Sequence, residues 1–432
     1  MAETFDTKIE TLGTPEIPSP IKNELFTDDQ DRILYNVFLN EVKSALIEGQ
    51  YLMAFERAGA REKIYFSPAS SRAAIVSCGG LCPGINNVIR SLVMQLYFTY
   101  DVKDILGIRY GYQGLNPEVG LEPIALNPTL VNDISRSGGS ILGSSRGGQP
   151  LDIMVDFLEQ QKINMLFTIG GDGTLRGAAK IAGEINKRGL KISVIGIPKT
   201  IDNDISYVAK SFGFETAFSA AVQSIEGAHV EAMGAPNGIG LVKLMGRHSG
   251  FIAANAALAL KQVNFVMVPE VDFDLEGDNG LLEVLKRRLA VKRHAVIVVA
   301  EGAGQKFFQE KNMGSDPSGN VKLGDIGIYL KDKITQHFKS QNIELNLKYI
   351  DPSYIIRSVP ANPNDTVFCG LLAQNAVHAA MAGKTNMVIA VWNNIFVHIP
   401  IHIVSSKRKQ ISPRGKLWQS VLESTGQPSL KN

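Results

Sequence analysis

The sequence predicts an α/β protein with doubly wound, mainly parallel sheets. Short apolar runs such as Met165–Ile169 and Val194–Ile197 have the length and composition of buried strands. Helical segments alternate with these runs, for example at residues 176–188, and such alternation is typical of parallel sheets covered on both faces. Several runs end in turns that are rich in Gly or Pro and carry acidic residues. Open α/β sheets place their ligands at these carboxyl ends.

The turn after the first of these runs reads GGDGT. Gly170 and Gly171 permit a sharp turn and the close approach of an anion, and the N-terminus of the following helix would attract a phosphate. GGDG by itself is also a plain turn signal in many α/β proteins. The next strand is followed by Thr200, Asp202 and Asp204. Acidic groups beside a phosphate are costly unless they bind a metal ion or accept a proton, and phosphoryl transfer requires both.

Length and composition favour a globular enzyme over a nucleic-acid or membrane protein. The 432 residues suffice for two domains, and the chain is 44% hydrophobic and 20% charged. A net charge of +2 predicts no nucleic-acid and no membrane partner. The charged first ten residues predict no secretory signal. The odd count of three cysteines favours a reducing, cytoplasmic location.

The N-terminal 69 residues differ from the rest because they are Pro-rich and polar at the start. We expect an extension that packs on the core or on a neighbouring subunit, with one or two amphipathic helices at residues 32–55. The core begins at the strand Arg72–Ser77, which ends in CGGLCPG and precedes a helix at Ile85–Tyr100. This turn matches neither GxxxxGK[ST] nor GxGxxG, which disfavours a nicotinamide enzyme.

Two residues between the first strands are candidate ligands of a phosphorylated molecule. Tyr112 follows the strand Ile105–Arg109 and lies either against a nucleotide or in a packed loop. Arg146 stands in a Ser/Gly loop and is better placed to reach a phosphate than a random surface arginine, although such a loop is also a common linker.

The second half of the chain continues the alternation of strands and helices. The predicted strands are Ile239–Leu244, Phe265–Val268, Ala295–Ala300 and Met387–Trp392, and the predicted helices are Phe212–Glu231, Asp325–Lys339 and Asp365–Met381. Arg247 and Glu301 each follow a strand end, and we expect a surface loop at residues 304–323. His398 and His402 have helical metal spacing, but Pro400 lies between them, so strand or loop is expected. The basic run at 407–409 is most simply a solvated surface.

From about residue 72 to about residue 406 the sequence resembles the 6-phosphofructokinase family, on the motifs GGLCPGINNVIR, GYQGL, LGSSRGG, IGGDGTLRGA, PKTIDNDI, GFETA, KLMGRHSG, AEG and PSYIIRS. The resemblance implies two doubly wound α/β domains with the active site in the cleft between them. It also implies a glycolytic, Mg²⁺-dependent transfer of a phosphoryl group to the 1-hydroxyl of fructose 6-phosphate, in a homo-oligomer (tetramer or dimer). The implied domains are an extension at 1–69, a donor domain at 70–213 with 357–406, a sugar-phosphate domain at 214–356 and a tail at 407–432.

The resemblance also assigns roles to individual residues. Asp202 would be the base that takes the proton from the attacking hydroxyl, Asp172 would hold Mg²⁺, and Thr200, Lys199 and Arg247 would complete the catalytic set. The donor site would consist of Gly80, Tyr112, Arg146, Gly171, Asp172, Gly173, Thr174 and Gly177. The sugar phosphate would be held by Thr200, Asp202, Asp204, Met245, Gly246, Arg247, Glu301, Lys348, Tyr354 and Arg357. The family often supplies the basic residue at the position of Lys348 from a neighbouring subunit.

Two positions give opposite indications about the phosphoryl donor. ATP-dependent members of the family have Gly after the GGD aspartate, whereas pyrophosphate-dependent members have an Asp that fills the space of the α-phosphate. Gly173 is therefore the ATP-like choice, and Lys199 before TIDND is the pyrophosphate-like choice. Because the open space at Gly173 permits ATP while a lysine binds phosphate in either case, we predict ATP, with pyrophosphate as the alternative. The mixed pattern resembles ATP-dependent enzymes that are close in sequence to the pyrophosphate group.

Other functions remain as alternatives. NAD kinases and lipid kinases share GGDGT, but PSYIIRS and KLMGRHSG have no place in those families. A non-catalytic regulatory subunit should have lost its base, and both Asp202 and Asp172 are present. Another sugar phosphate, such as sedoheptulose 7-phosphate, also remains an alternative substrate, because it has the same reacting end as fructose 6-phosphate. A cross-subunit arginine of the bacterial enzymes falls near Gly238, where this chain has no arginine.

Overall fold

The computed structural model describes residues 5–22, 25–308, 314 and 321–432. The predicted surface loop at 304–323 therefore lies largely outside the described residues. The chain forms two compact units: unit 1 contains Met1–Thr200, Ile205–Gly213 and Val359–Arg408, and unit 2 contains Ile201–Asp204, Phe214–Ser358 and Lys409–Asn432. The segments predicted as an extension and a tail are thus divided between these two units rather than standing apart. No helix in the described ranges is long and apolar enough to cross a membrane.

The elements follow one another in a regular alternation through most of the chain. The strands are β1 (Glu10–Thr11), β2 (Ile17–Pro18), β3 (Arg32–Leu34), β4 (Ala54–Arg57), β5 (Lys63–Ile64), β6 (Arg72–Ser77), β7 (Asp104–Ile108), β8 (Ile124–Ala125), β9 (Met165–Gly170), β10 (Ser193–Pro198), β11 (Gly238–Leu244), β12 (Phe265–Met267), β13 (His294–Ala300), β14 (Asn346–Ile350), β15 (Lys384–Thr385), β16 (Met387–Trp392) and β17 (Ile395–Pro400). The helices are α1 (Leu39–Ile47), α2 (Ile85–Met94), α3 (Pro128–Val131), α4 (Leu151–Gln160), α5 (Asp172–Lys187), α6 (Phe214–Met233), α7 (Phe251–Ala259), α8 (Leu281–Lys292), α9 (Ile326–Ser340), α10 (Ser353–Ile356), α11 (Pro363–Met381), α12 (Ile401–Val404) and α13 (Lys416–Thr425). Short 3₁₀ helices lie at Pro68–Ser70, Gly111–Leu115, Pro117–Val119, Ile134–Arg136 and Gln305–Phe308, and a π-helical turn at Gln95–Thr99 continues α2.

Unit 1 is built on a sheet that, within the described residues, has nine strands in the order β3-β4-β17-β16-β10-β9-β6-β7-β8. The central pairs from β16 to β7 are parallel, and the pairs at both ends are antiparallel. Residues Ala73, Ala74, Ile75 and Val76 of β6 are all fully buried. Because successive strand residues point to opposite faces, both faces of this sheet are covered. The predicted doubly wound, mainly parallel fold is confirmed.

Of the one or two helices expected in residues 32–55, the structure has one, α1, while β3 and β4 on either side of it extend the sheet of unit 1. β4 pairs with β17, whose residues are more than 300 positions away, so the local sequence gives no signal of this pairing. The buried Glu56 carboxylate on β4 accepts hydrogen bonds or ion pairs from Arg61 at 3.1 Å, Lys384 at 3.0 Å and His398 at 2.9 Å. Burial alone would raise the pKa of Glu56, but His398 and Lys384 hold this pKa below its usual value.

Unit 2 contains, in the part of the chain that the structure describes, a sheet of four strands in the order β12-β13-β11-β14, all parallel. Helices α8 and α9 supply Leu285, Leu289, Leu330 and Ile334 to a core shared with β11 and β13. The C-terminal segment packs on this unit, because the Gln427 amide accepts from the N–H of Val266 at 2.6 Å. All three cysteines are free and buried.

Candidate active site

The residues predicted to bind the phosphoryl donor follow adjacent parallel strands of unit 1. β6, β9 and β10 are neighbours in the sheet, so their carboxyl ends share one edge. Backbone hydrogen bonds join the turns after these strands: the N–H of Lys199 donates to the carbonyl of Gly170 at 2.9 Å, and the N–H of Cys78 donates to that of Ile169 at 2.9 Å. The structure therefore brings together the turns that carry Gly80, Gly171, Asp172 and Lys199.

Helix α5 begins at Asp172, four residues earlier than the sequence pattern suggests, and Gly171 is its N-cap. The first-turn N–H groups of α5 consequently belong to the GGDGT turn, where an anion would meet the positive end of the helix dipole. A Cβ on Gly170 would lie 2.2 Å from Oγ1 of Thr174, so only glycine fits there. In contrast, no atom lies within 4 Å of the place where a Cβ on Gly173 would stand. The first turn is thus open on the side of Gly173.

The carboxylate of Asp172 is held by one of its two oxygens. Oδ2 pairs with the guanidinium of Arg176 one turn further along α5, and Arg408 lies 3.9 Å from the same oxygen. Oδ1 is buried and has no hydrogen-bond partner among the described residues. A carboxylate oxygen of this kind suits Mg²⁺, which prefers hard oxygen ligands. Across the described ranges, no group of three or more His, Cys, Asp or Glu side chains could hold a metal ion.

Lys199 and the Ser/Gly loop surround the turn that follows β6. The buried Lys199 ammonium donates to the carbonyl of Gly80 at 2.5 Å. On the other side, the hydroxyl of Ser144 donates to the carbonyl of Gly79 at 2.6 Å, and the N–H of Gly79 donates to the carbonyl of Ser145 at 2.9 Å. Arg146 directly follows this anchored segment and is exposed. Its backbone is therefore placed close to the predicted donor residues.

Tyr112 is packed inside unit 1. Its ring is only 5% exposed and belongs to the hydrophobic core of unit 1, and its hydroxyl donates to the carbonyl of Thr174 at 2.7 Å. A Cβ on Gly177 would lie 2.6 Å from the Tyr112 ring. The packed-aromatic alternative thus describes the surroundings of the ring, and a contact with the nucleotide stays a prediction. Tyr112 supports the first turns of α5 from the core side.

The residues predicted to bind the sugar phosphate follow adjacent strands of unit 2. Met245, Gly246 and Arg247 come after β11, and Glu301 comes after β13, its parallel neighbour. The N–H of Glu301 donates to the carbonyl of Leu244 at 2.9 Å, which fixes the two turns side by side. Gly246 has φ of 131°, and a Cβ there would lie 2.5 Å from the carbonyl oxygen of Ser249. Only glycine permits this turn.

Basic and acidic side chains surround this edge of unit 2. Burial raises the pKa of Glu301, while the charges of Lys243, Arg247 and Arg357 oppose that rise. Lys243 pairs with both Asp325 and Asp351 at 2.9 Å. The guanidinium of Arg247 donates to the carbonyl of Val321. The charge of Asp351 acts in the same direction as burial, so Glu301 lies among both basic and acidic side chains.

Lys348, Tyr354 and Arg357 lie on and after β14, which pairs with β11 on the side away from β13. The Arg357 guanidinium lies 4.7 Å from the centroid of the Tyr354 ring, and Tyr354 is 76% exposed. Lys348 is exposed on β14. Lys348 pairs with Gly240 near the start of β11, whereas Tyr354 and Arg357 follow the carboxyl end of β14. All three side chains are at least partly exposed.

The loop with the predicted base is anchored through its backbone. In unit 2, Ser249 donates through its hydroxyl to the carbonyl of Asp202 at 3.2 Å, and the N–H of Lys409 donates to the carbonyl of Asp204 at 2.8 Å. In unit 1, the Ser211 hydroxyl donates to the carbonyl of Thr200 at 2.6 Å. The carbonyl oxygens of this loop are therefore held in place on both sides of Asp202.

In the basic run at 407–409, Lys407 and Arg408 are exposed as predicted, whereas Lys409 is partly buried. Arg408 forms a β-bridge with Ile205, and the Lys409 ammonium lies 5.3 Å from the centroid of the Phe251 ring. Burial lowers the pKa of Lys409 to about 8, against the opposing charge of Asp204. Sequence reasoning missed these residues because their partners are some 200 positions away in the chain.

A separate cavity of about 710 Å³ lies on unit 1. Its walls include Lys210, Phe368, Asn393 and Phe396, and none of the predicted site residues lines it. This cavity is therefore distinct from the candidate active site.

The two units define an α/β protein whose strand ends carry a helix N-terminus and several acidic and basic residues. The sequence model of the family described as phosphofructokinase matches residues 72–380. Two relatives named ATP-dependent 6-phosphofructokinase cover nearly the full length. The protein from Borreliella burgdorferi is 54% identical and covers 100% of this chain and 99% of its own, and that from Amycolatopsis methanolica is 48% identical and covers 98% and 95%.

A solved structure supports the same fold. The pyrophosphate-dependent phosphofructokinase from Marinobacter aquaeolei superposes with a TM-score of 0.67 over 83% of this chain and 92% of its own, at 18% identity. The chain belongs to the phosphofructokinase family.

Proposed function

We propose that the chain is an ATP-dependent 6-phosphofructokinase, which transfers the γ-phosphoryl group of ATP to the 1-hydroxyl of fructose 6-phosphate. The observation that carries the proposal is the first turn of α5, where Gly173 leaves open space beside the Asp172 carboxylate. An α-phosphate needs this space, and a side chain at position 173 would occupy it. The relatives at 54% and 48% identity support the same donor through their names.

On the donor side, the N-terminus of α5 binds the phosphates through backbone N–H groups. Gly171, Gly173 and Thr174 belong to this turn, and their N–H groups have no intrahelical acceptor because they stand in the first turn. Lys199 and Arg146 add positive charge near the same strand ends. These groups lower the energy of the transition state by offsetting the charge that spreads over the phosphoryl oxygens.

Asp172 fits the role of magnesium ligand because its Oδ1 is buried without a protein partner among the described residues. Bound Mg²⁺ would neutralise charge on the phosphates of the donor. The pairing of Oδ2 with Arg176 fixes the orientation of the carboxylate.

On the acceptor side, Arg247, Tyr354 and Arg357 bind the 6-phosphate, and Glu301 accepts a hydrogen bond from a sugar hydroxyl. Asp202 takes the proton of the 1-hydroxyl as that oxygen attacks the phosphoryl group. Thr200 and Asp204 position the sugar and the transferred group. Such a reaction needs little covalent chemistry from the protein, so the rate depends on positioning and on the general base.

Assembly into a homo-oligomer and a cytoplasmic location remain predictions. Lys348 is exposed on β14, which suits a residue that would be supplied to the sugar site of a neighbouring subunit. The three free, buried cysteines agree with a reducing compartment.

The variant Asp202→Ser tests the proposal. Loss of the base should reduce kcat by at least about 1,000-fold while the affinity for fructose 6-phosphate changes less than about threefold. Asp278→Ser is the matched control, because Asp278 is an exposed carboxylate of the same unit outside the predicted site, and this variant should keep the wild-type rate. A kcat of Asp202→Ser within tenfold of wild type would contradict the assignment of the base.

A further inference from the structure

Arg408 lies against the helix end that would receive the donor phosphates. Its Nη2 is 3.9 Å from Oδ2 of Asp172, the first residue of α5. This separation is an ion pair rather than a hydrogen bond. The guanidinium of Arg408 is therefore within one side-chain length of the open first turn at Gly173.

The backbone of Arg408 is fixed rather than mobile. It forms an antiparallel bridge with Ile205, the residue after the TIDND motif. The next residue, Lys409, donates its N–H to the carbonyl of Asp204 at 2.8 Å. The segment 408–409 is thus paired with the segment 204–205. This pairing fixes the backbone position from which the Arg408 side chain reaches Asp172.

The charges around Asp172 are unbalanced without a ligand. Two guanidinium groups, those of Arg176 and Arg408, face the single oxygen Oδ2. Arg408 remains 35% exposed, so its donors are accessible to a molecule that binds at this turn. A polyanion at the N-terminus of α5 would supply the negative charge that these two arginines lack, and a guanidinium matches phosphate oxygens in a two-pronged geometry.

We propose that Arg408 binds the phosphates of the nucleotide donor, pairing with Asp172 before the donor arrives and with phosphate oxygens afterwards. The proposal rests on the proposed function only for the identity of the donor. It adds a residue from outside the recognised motifs to the donor site.

The neighbouring Lys407 provides a matched control. It carries the same charge one residue earlier, but its ammonium lies 5.6 Å from the centroid of the Tyr207 ring. Lys407→Met and Arg408→Met therefore each remove one positive charge, but only Arg408→Met removes the proposed contact.

The test is calorimetric titration of wild type, Arg408→Met, Arg408→Lys and Lys407→Met with MgADP in the absence of sugar, together with KM for MgATP and for fructose 6-phosphate. Arg408→Met should weaken MgADP binding at least tenfold and raise the KM for MgATP in proportion, with the KM for fructose 6-phosphate unchanged within twofold. Arg408→Lys should weaken MgADP binding about three- to fivefold, because lysine keeps the charge but loses the planar fork. Lys407→Met should stay within twofold of wild type.

MgADP affinity of Arg408→Met within twofold of wild type would overturn the proposal, and so would equal losses for MgADP and for the sugar phosphate. If Arg408→Met fails to fold, Arg408→Lys decides, and wild-type affinity in that variant would also overturn it. The experiment also distinguishes failure of the proposed function from failure of the phosphate contact. If the wild-type protein binds MgADP but does not phosphorylate fructose 6-phosphate, the proposed function is refuted. A loss of MgADP binding in Arg408→Met would still support the phosphate contact in that case.

Discussion

The substitution Gly173→Asp separates donor binding from folding. Position 173 is in the first turn of α5, and no atom lies within 4 Å of an added Cβ. The fold should therefore accept the side chain without a clash. An acidic residue in the first turn also interacts favourably with the helix dipole. Replacement of a glycine inside a helix stabilises the helix further. We expect the free energy of unfolding to rise by about 0.5–1 kcal/mol.

The same carboxylate should strongly oppose ATP. At a separation of about 5 Å, two unit charges repel by about 3 kcal/mol at an effective dielectric constant of about 20, and exposure of the site reduces this value. We therefore expect the KM for MgATP to rise about 10- to 100-fold, with the KM for fructose 6-phosphate unchanged. A pyrophosphate-dependent rate should change far less, because pyrophosphate has no third phosphate to occupy this space.

The assay is steady-state kinetics with each donor, combined with chemical denaturation. Gly183→Asp is the matched control, since Gly183 is also in α5 and also has open space around an added Cβ, and it should keep the wild-type KM. A stable Gly173→Asp protein with wild-type KM for MgATP, or with equal losses for both donors, would refute the steric argument.

Three further changes test the packing around the site and the sheet of unit 1. Gly177→Ala places a Cβ 2.6 Å from the Tyr112 ring, so the free energy of unfolding should fall by about 1–3 kcal/mol in urea denaturation, whereas a rise would show that the ring moves aside. Burial lowers the pKa of His378 to about 4, below its unfolded value of about 6.5. Between pH 4 and pH 6.5 the unfolded state binds more protons than the folded state. The free energy of unfolding should therefore fall by up to about 3 kcal/mol as the pH decreases from 6.5 to 4. His378→Gln, which keeps a hydrogen-bonding partner for Tyr100, should lack this loss, and an unchanged pH dependence would contradict the assignment. Glu56→Gln leaves the cations around it with less compensation and should reduce the free energy of unfolding by about 3–5 kcal/mol, so a change below about 1 kcal/mol would show that the buried cluster does not stabilise the sheet.

The sequence predicted the elements whose signals are local. The strand at Arg72–Ser77 and the strand at Met387–Trp392 have the predicted bounds, because a buried parallel strand is a continuous apolar run between turn residues. The glycines around the two predicted sites were also recognisable, since a turn that excludes a Cβ leaves a glycine in the sequence. Gly170 and Gly246 are such positions.

The sequence could not predict features that depend on distant partners. β4 is short and is a strand because β17 pairs with it, and its charged residue Glu56 is buried because cations from other elements surround it. Tyr112 is ambiguous in sequence, and only the structure shows that its ring packs against Gly177. Arg408 resembles any surface arginine until its bridge with Ile205 places it near Asp172.

The donor specificity is the central claim, and initial rates measure it most directly. The measurement uses wild-type protein, fructose 6-phosphate and Mg²⁺, with ATP and with pyrophosphate each as the sole donor. Because position 173 is open while Lys199 donates to the Gly80 carbonyl within its own unit, we predict turnover with ATP and at most a few per cent of that rate with pyrophosphate. A pyrophosphate rate equal to or above the ATP rate would contradict the account and would indicate that Lys199, rather than the open space at Gly173, selects the donor.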